Sequence, residues 1–178
     1  MFDVHATEEE DKLVLLCAID RLGGCTEEQL MRFAVETGLM SQFPFSIALA
    51  SLKEAAFVHT SRRLEGTLLH LTPEGRQSME LFASRIRASR QEKLENNCAA
   101  WRRRVLDELS TPAQYVQSGN GYTVTLRALE SGEEIFSMTL TAATKAQAKR
   151  FCERWPREAA GIYQTVMERL GEMEEDKD

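Results

Sequence analysis

The sequence predicts an α+β protein, and three observations carry that reading. Residues 44–75 run as a helix, a short two-stranded hairpin and a new helix opened by Thr72-Pro73-Glu74-Gly75. Two further amphipathic segments with helix-stop glycines precede that stretch, and from Gln114 the apolar period changes to two before a last helical stripe follows Thr144.

The first helix spans Glu8 to Leu22, with Leu13, Leu16, Cys17, Ile19 and Asp20 in an amphipathic register closed by Gly23-Gly24. Thr26-Glu27-Glu28-Gln29 then has the reciprocal capping-box pattern, and Leu30, Phe33 and Ala34 follow on one face until Gly38. In the third helix Phe45, Leu49, Leu52 and Ala56 lie on one side of a cylinder, with Pro44 suited to the first turn. Phe57–Thr60 and Thr67–Leu71 are strands joined through Ser61–Gly66, whose tip carries Arg62 and Arg63. Thr72 caps, Pro73 supplies a first-turn φ, Glu74 complements the helix dipole, and the helix should run through Met79, Leu81, Phe82 and Ile86. Three helices followed by such a hairpin make residues 1–86 an N-terminal winged helix-turn-helix domain, a fold whose third helix can enter a DNA major groove.

Residues 87–110 form a linking amphipathic helix in which Leu94, Cys98, Trp101, Val105 and Leu109 keep helical spacing. Two readings of that stripe stand side by side: packing on its own domain, or a homodimer interface formed by Leu94, Trp101 and Val105 with Trp101 as anchor.

Residues 111–171 form a second domain, a three-stranded antiparallel sheet covered by one or two helices. Tyr115 and Gln117, then Tyr122, Val124, Leu126 and Ala128, then Ile135–Leu140 alternate as strands. Asn120-Gly121 is the stronger hairpin signal and Ser131-Gly132 the weaker. Thr144-Lys145-Ala146-Gln147 repeats the capping box, Ala148, Phe151, Cys152 and Trp155 form the covering stripe, and Ala159, Ile162, Tyr163, Val166 and Leu170 continue it. Pro156 should kink this helix or begin a second one. Residues 172–178 are an acidic, solvated tail.

At 178 residues the chain can bury one medium core or two small ones, and two are expected. Without a membrane-length apolar run or a secretory pattern in Met1–His5, the expected location is the cytoplasm, with no membrane partner. Cys17, Cys25, Cys98 and Cys152 contain no C-x-x-C pair and read as reduced, buried thiols. The net charge of -6 demands that any phosphate-binding charge be concentrated. Residues 87–110 are the one basic segment, with 6 Lys+Arg against 4 Asp+Glu, through Arg87, Arg90, Lys93, Arg102, Arg103 and Arg104. No nucleotide-binding, hydrolase or zinc-protease motif occurs, and the acid pairs sit at a helix start and a turn, so neither an enzyme nor a cofactor is expected.

Lys12–Leu16, Phe43–Leu52 with Leu49-x-x-Leu52, the hairpin leading to Leu71-Thr72-Pro73-Glu74-Gly75, and Ala146–Lys149 followed by Cys152-Glu153-x-Trp155 together resemble the bacterial family catalogued as domain of unknown function 4364. The resemblance covers nearly the whole chain and departs from the pattern at Pro156. Its members occur mainly in Firmicutes, and their first half is similar to winged-helix repressors of the PadR and MarR kind. The resemblance therefore implies a cytoplasmic bacterial transcriptional regulator.

The leading expectation is a homodimeric winged-helix regulator that binds double-stranded DNA. Ser46, Ala50 and Lys53 would face the groove, Gln42 would stand near the helix start, Arg62 and Arg63 would contact phosphate or the minor groove, and Arg76 would add to the affinity. Its weakness is a third helix with no arginine, asparagine or glutamine inside it for bidentate base readout. A protein-interaction or dimerisation module competes, suggested by Ile47 on the outer face of that helix. In a third reading the second domain senses a small-molecule effector near Trp155 or Tyr163.

Overall fold

The computed structural model describes residues 4–63 and 66–171, with only the backbone of residues 4–7; the chain start, Leu64 and Glu65 of the hairpin, and the acidic tail lie outside them. These residues form a mixed α+β protein with six α-helices and two three-stranded antiparallel sheets. The chain divides into two compact units between Leu106 and Asp107.

The first unit is built around α1 (Val4–Leu22). Six consecutive residues, Val14 to Ile19, are buried, so the middle of α1 is enclosed on all sides, while polar residues such as Glu9 and Arg21 are exposed toward its ends. An unbroken run of apolar and small residues leaves no polar side to present to water. Next come α2 (Glu27–Glu36) and α3 (Gln42–Glu54). The capping box forms: Gln29 N–H donates to Thr26 Oγ1 at 3.2 Å, and Thr26 N–H donates to Gln29 Oε1 at 2.9 Å. Helix α3 buries Phe45, Ala48, Leu49 and Leu52. Ala56 does not extend that face; it lies past the C-cap at φ 58 and is exposed.

The hairpin, β2 (Val58–Arg63) with β3 (Gly66–Leu71), has a third strand that the sequence did not announce. Cys25 and Thr26 form β1 and pair with Leu69 and Leu68, giving the order β1-β3-β2. Two residues carry no readable alternation, so only the pairing reveals this strand. Helix α4 (Pro73–Phe82) starts as expected, with Gly75 N–H donating to Thr72 Oγ1 at 3.0 Å. A Cβ on Gly75 would stand 2.1 Å from the Phe57 carbonyl oxygen, so glycine lets α4 meet the chain before β2. The helix stops four residues short of Ile86, giving way to a 3-10 turn at Ala83–Arg85.

Helix α5 (Ala88–Ser110) buries Leu94, Cys98, Trp101 and Val105 against its own chain, with Trp101 edge-on to Phe33 at 5.6 Å between centroids. Of the two readings of this stripe, the structure therefore takes packing within the unit. Glu10 and Asp11 of α1 are buried as well. Arg87 donates to Glu10 through its backbone N–H at 2.9 Å and its Nε at 2.8 Å. Arg90 lies 2.6 Å from Asp11 Oδ1 and donates to the Leu39 carbonyl at 2.9 Å. Burial pushes the Glu10 carboxyl up, but the Arg87 hydrogen bonds and the Arg90 charge outweigh it and hold Glu10 below its ordinary value of 4.5.

The second unit is a meander of β4 (Ala113–Ser118), β5 (Gly121–Glu130) and β6 (Glu133–Ala142), with one face under α6 (Lys145–Gly171). Its first turn is Gly119-Asn120 rather than Asn120-Gly121, because Ser118 pairs with Gly121 and Gly119 takes the positive φ of 57. The second turn has both central residues, Ser131 and Gly132, at positive φ. Helix α6 passes through Pro156 as one element, so no second helix begins there. Pro156 is exposed, while Trp155 and Ala159 on either side of it are buried and hold both halves to the sheet. Trp155 Nε1–H donates to the Arg127 carbonyl at 2.6 Å, and its ring stacks on Phe136 at 6.2 Å.

Replacing Arg90 with methionine is expected to destabilise the first unit by about 3 kcal/mol in urea unfolding, since it strands the buried Asp11 carboxylate while Glu10 keeps Arg87. Because Glu10 is depressed, its contribution is present above pH 4.5 and is lost as pH falls through its lowered value. The urea midpoint of wild type should therefore drop with acidification, and Glu10→Gln should flatten that dependence. Trp155→Phe keeps the ring but orphans the Arg127 carbonyl, and should cost the second unit about 2 kcal/mol by the same measurement.

Candidate nucleic-acid interface

The outward side of α3 follows from its buried side. Gln42, Phe43, Ser46, Ile47, Ala50, Lys53 and Glu54 are exposed. Several of the polar groups expected to face a groove already have partners. Ser46 Oγ donates to the Gln42 carbonyl of its own helix at 3.0 Å. Lys53 Nζ lies 2.6 Å from Glu27 in the first turn of α2. Gln42 is the first helical residue, and Ala50 contributes a methyl group. The largest exposed features of the face are Phe43, 76% exposed, and Ile47, 42%, one turn apart.

In the hairpin, side chains alternate between faces, so adjacent Arg62 and Arg63 point to opposite sides. Arg62 shares a face with Thr60 and Thr67, its cross-strand partner. Arg63 shares the other with Ser61, His59 and His70. Both arginines are exposed and have no ion pair among the described residues. A surface meeting one face of the hairpin therefore meets one arginine.

On the Arg63 face the rings of His59 and His70 stack at 5.5 Å between centroids, and His70 Nε2 shares a hydrogen bond with Ser61 Oγ at 3.0 Å. Burial, then the charges of His59 and Arg63, pushes the His70 imidazole below its ordinary value of 6.5. The His70 ring also explains Gly24, at φ 99, where a Cβ would stand 2.8 Å from Cε1. Neither histidine was singled out by sequence; two histidines eleven residues apart meet only because the strands register His59 against His70.

Arg76 projects from α4 and pairs with Asp20 of α1 at 2.5 Å. The basic middle segment is mostly engaged inside the unit. Arg87 and Arg90 hold the buried acids, Lys93 Nζ donates to the Gly38 carbonyl at 2.7 Å, and Arg104 lies 3.3 Å from Glu36. The Arg102 guanidinium lies over Gly23, within 3.6 Å of where a Cβ would stand.

All four cysteines are free thiols, three of them buried, and burial pushes the Cys25 thiol up to about 12. Among the described residues no helix is long and apolar enough to cross a membrane, and no group of three or more His, Cys, Asp or Glu side chains could hold a metal ion. Trp155 fills the core of the second unit, and the half-buried Tyr163 packs edge-on to Phe136 at 5.9 Å.

No curated protein and no solved structure matches this chain. A family model does match residues 11–170, nearly the whole length, and so the chain belongs to the family described as Domain of unknown function (DUF4364).

Proposed function

We propose that the first unit is a winged-helix domain that binds double-stranded DNA, and that the protein is a transcriptional regulator acting as a homodimer. The observation that carries this reading is the order α1-β1-α2-α3-β2-β3, with α3 exposed along one side and a hairpin bearing the exposed Arg62 and Arg63, which have no ion pair among the described residues. Affinity would come from the hairpin rather than from α3, since Lys53 is neutralised by Glu27 and most of the α5 cations are engaged internally. Sequence discrimination by such a face would rest on Gln42, on apolar contact from Ala50 and Ile47 with thymine methyls, and on DNA shape. The homodimer must use side chains other than Leu94, Trp101 and Val105, which are buried in their own unit. Bacterial and cytoplasmic character belongs to the same proposal, which assigns no catalytic chemistry and no cofactor.

A second reading, a protein-interaction module that does not bind DNA, is favoured by one observation. Phe43 and Ile47 form an exposed apolar pair on α3, where a DNA-reading helix would carry polar side chains.

Selection of genomic DNA fragments by the purified protein, at low and near-physiological salt and with its solution mass recorded, tests the first reading. Enrichment of a palindromic site by a dimer is expected, with affinity falling steeply as salt rises. Arg62→Ala should then weaken binding to all sequences and reduce the salt slope by about 1. Phe43→Ser with Ile47→Ser should leave phosphate-driven affinity within about twofold. Absence of DNA binding at either salt, together with a partner lost by the double serine variant, would establish the interaction module instead.

A further inference from the structure

Between the inner face of the hairpin, the end of α1 and the start of α4 lies a cleft of about 420 Å³. Its polar lining is Arg63, His59, His70 and Ser61 from the hairpin, Arg76 from α4 and Asp20 from α1. We propose that this cleft binds a phosphate group carried by a small molecule.

Three features of the cleft carry the proposal. Two guanidiniums from different elements converge on it, and Arg63 has no carboxylate partner among the described residues, so its donors are free for an oxyanion. Ser61 and two imidazoles add donors on the same wall, held in place by the His59–His70 stack and the Ser61–His70 hydrogen bond. The volume suits a small ligand, and the backbone at Gly23-Gly24 lines the cleft without a Cβ to obstruct it. The site does not rest on the DNA-binding reading: it shares Arg63 with that reading, but Arg62, on the other face, takes no part.

The local charge makes the site responsive to protons. The charged and titratable groups around it are Asp20 of α1, His59 and Arg63 of β2, His70 of β3, Arg76 of α4, and Arg102 of α5 over Gly23. Asp20 is balanced by Arg76. With both imidazoles neutral the lining of the cleft holds one net positive charge, and with both protonated it holds three. An entering dianion therefore favours the protonated imidazoles, the reverse of the empty cleft's effect on His70, and ligand binding takes up protons.

Titration with inorganic phosphate at constant ionic strength, followed through the imidazole carbon-proton signals of His59 and His70, tests this directly. Saturable shifts of both rings are expected in wild type. Arg63→Ala should lower the affinity about tenfold, whereas Arg62→Ala, with the same loss of charge on the opposite face, should change it less than about twofold. Sulfate keeps its charge across the range and isolates the protein's own protons; its affinity should rise about fivefold between about pH 7.5 and about pH 6. A third titration uses a short DNA duplex. Shifts that do not saturate, or equal losses in the two arginine variants, would reduce the effect to diffuse screening and overturn the site. Shifts with DNA but none with phosphate would overturn it too, and would assign the cleft to the nucleic-acid backbone. Since no arm depends on sequence-specific DNA binding, failure here leaves the regulator reading untouched, and the converse holds.

Discussion

The buried cluster of Glu10, Asp11, Arg87 and Arg90 is the constraint on which the first unit depends. Two adjacent carboxylates on α1 cannot remain ionised in the interior without cations, and Arg87, just before α5, and Arg90 of α5 supply them. Arg90 also bonds the Leu39 carbonyl, so one guanidinium joins α1, α5 and the segment between α2 and α3. Once that geometry is set, Leu94, Cys98, Trp101 and Val105 fall onto the same core. A segment that looks like a basic linker by composition is, in the fold, an integral wall of its unit.

That choice has a functional consequence. The cations most able to attract DNA by count are those α5 uses to neutralise α1 and to cap carbonyls. Among the exposed cations are the hairpin arginines, one per face. The alternation of a strand puts Arg62 on one face and Arg63 on the other, toward the His59–His70 cleft. The third helix, with Lys53 neutralised and Phe43 and Ile47 exposed, contributes shape and apolar surface more than charge.

The second unit obeys a different constraint. Three strands have too little area to bury both faces, so α6 supplies the core through Trp155, whose indole N–H meets the β5 carbonyl at Arg127. This anchor, with Ala148 and Ala159 above and below, is strong enough to carry the helix through Pro156 without ending it. Phe136 and Tyr163 extend the aromatic packing around Trp155.

By itself the sequence determined the features whose causes lie within a few residues. Thr26, Thr72 and Thr144 cap the helices they precede, Gly23 and Gly38 end the helices before them, and the period-two residues of β5 face the core. Hydrogen bonds over three residues and the repeat of a strand or helix are local physics, and they survive any tertiary arrangement. The tertiary structure alone decided the pairing of β1 with β3, which side of α5 is internal, and that Lys53 meets Glu27. It also decided that His59 and His70 share a wall with Arg63 and Arg76. Each of these depends on groups far apart in the chain, and no local pattern records which distant partner will arrive, because that is set by how the whole apolar surface of the unit is best removed from water.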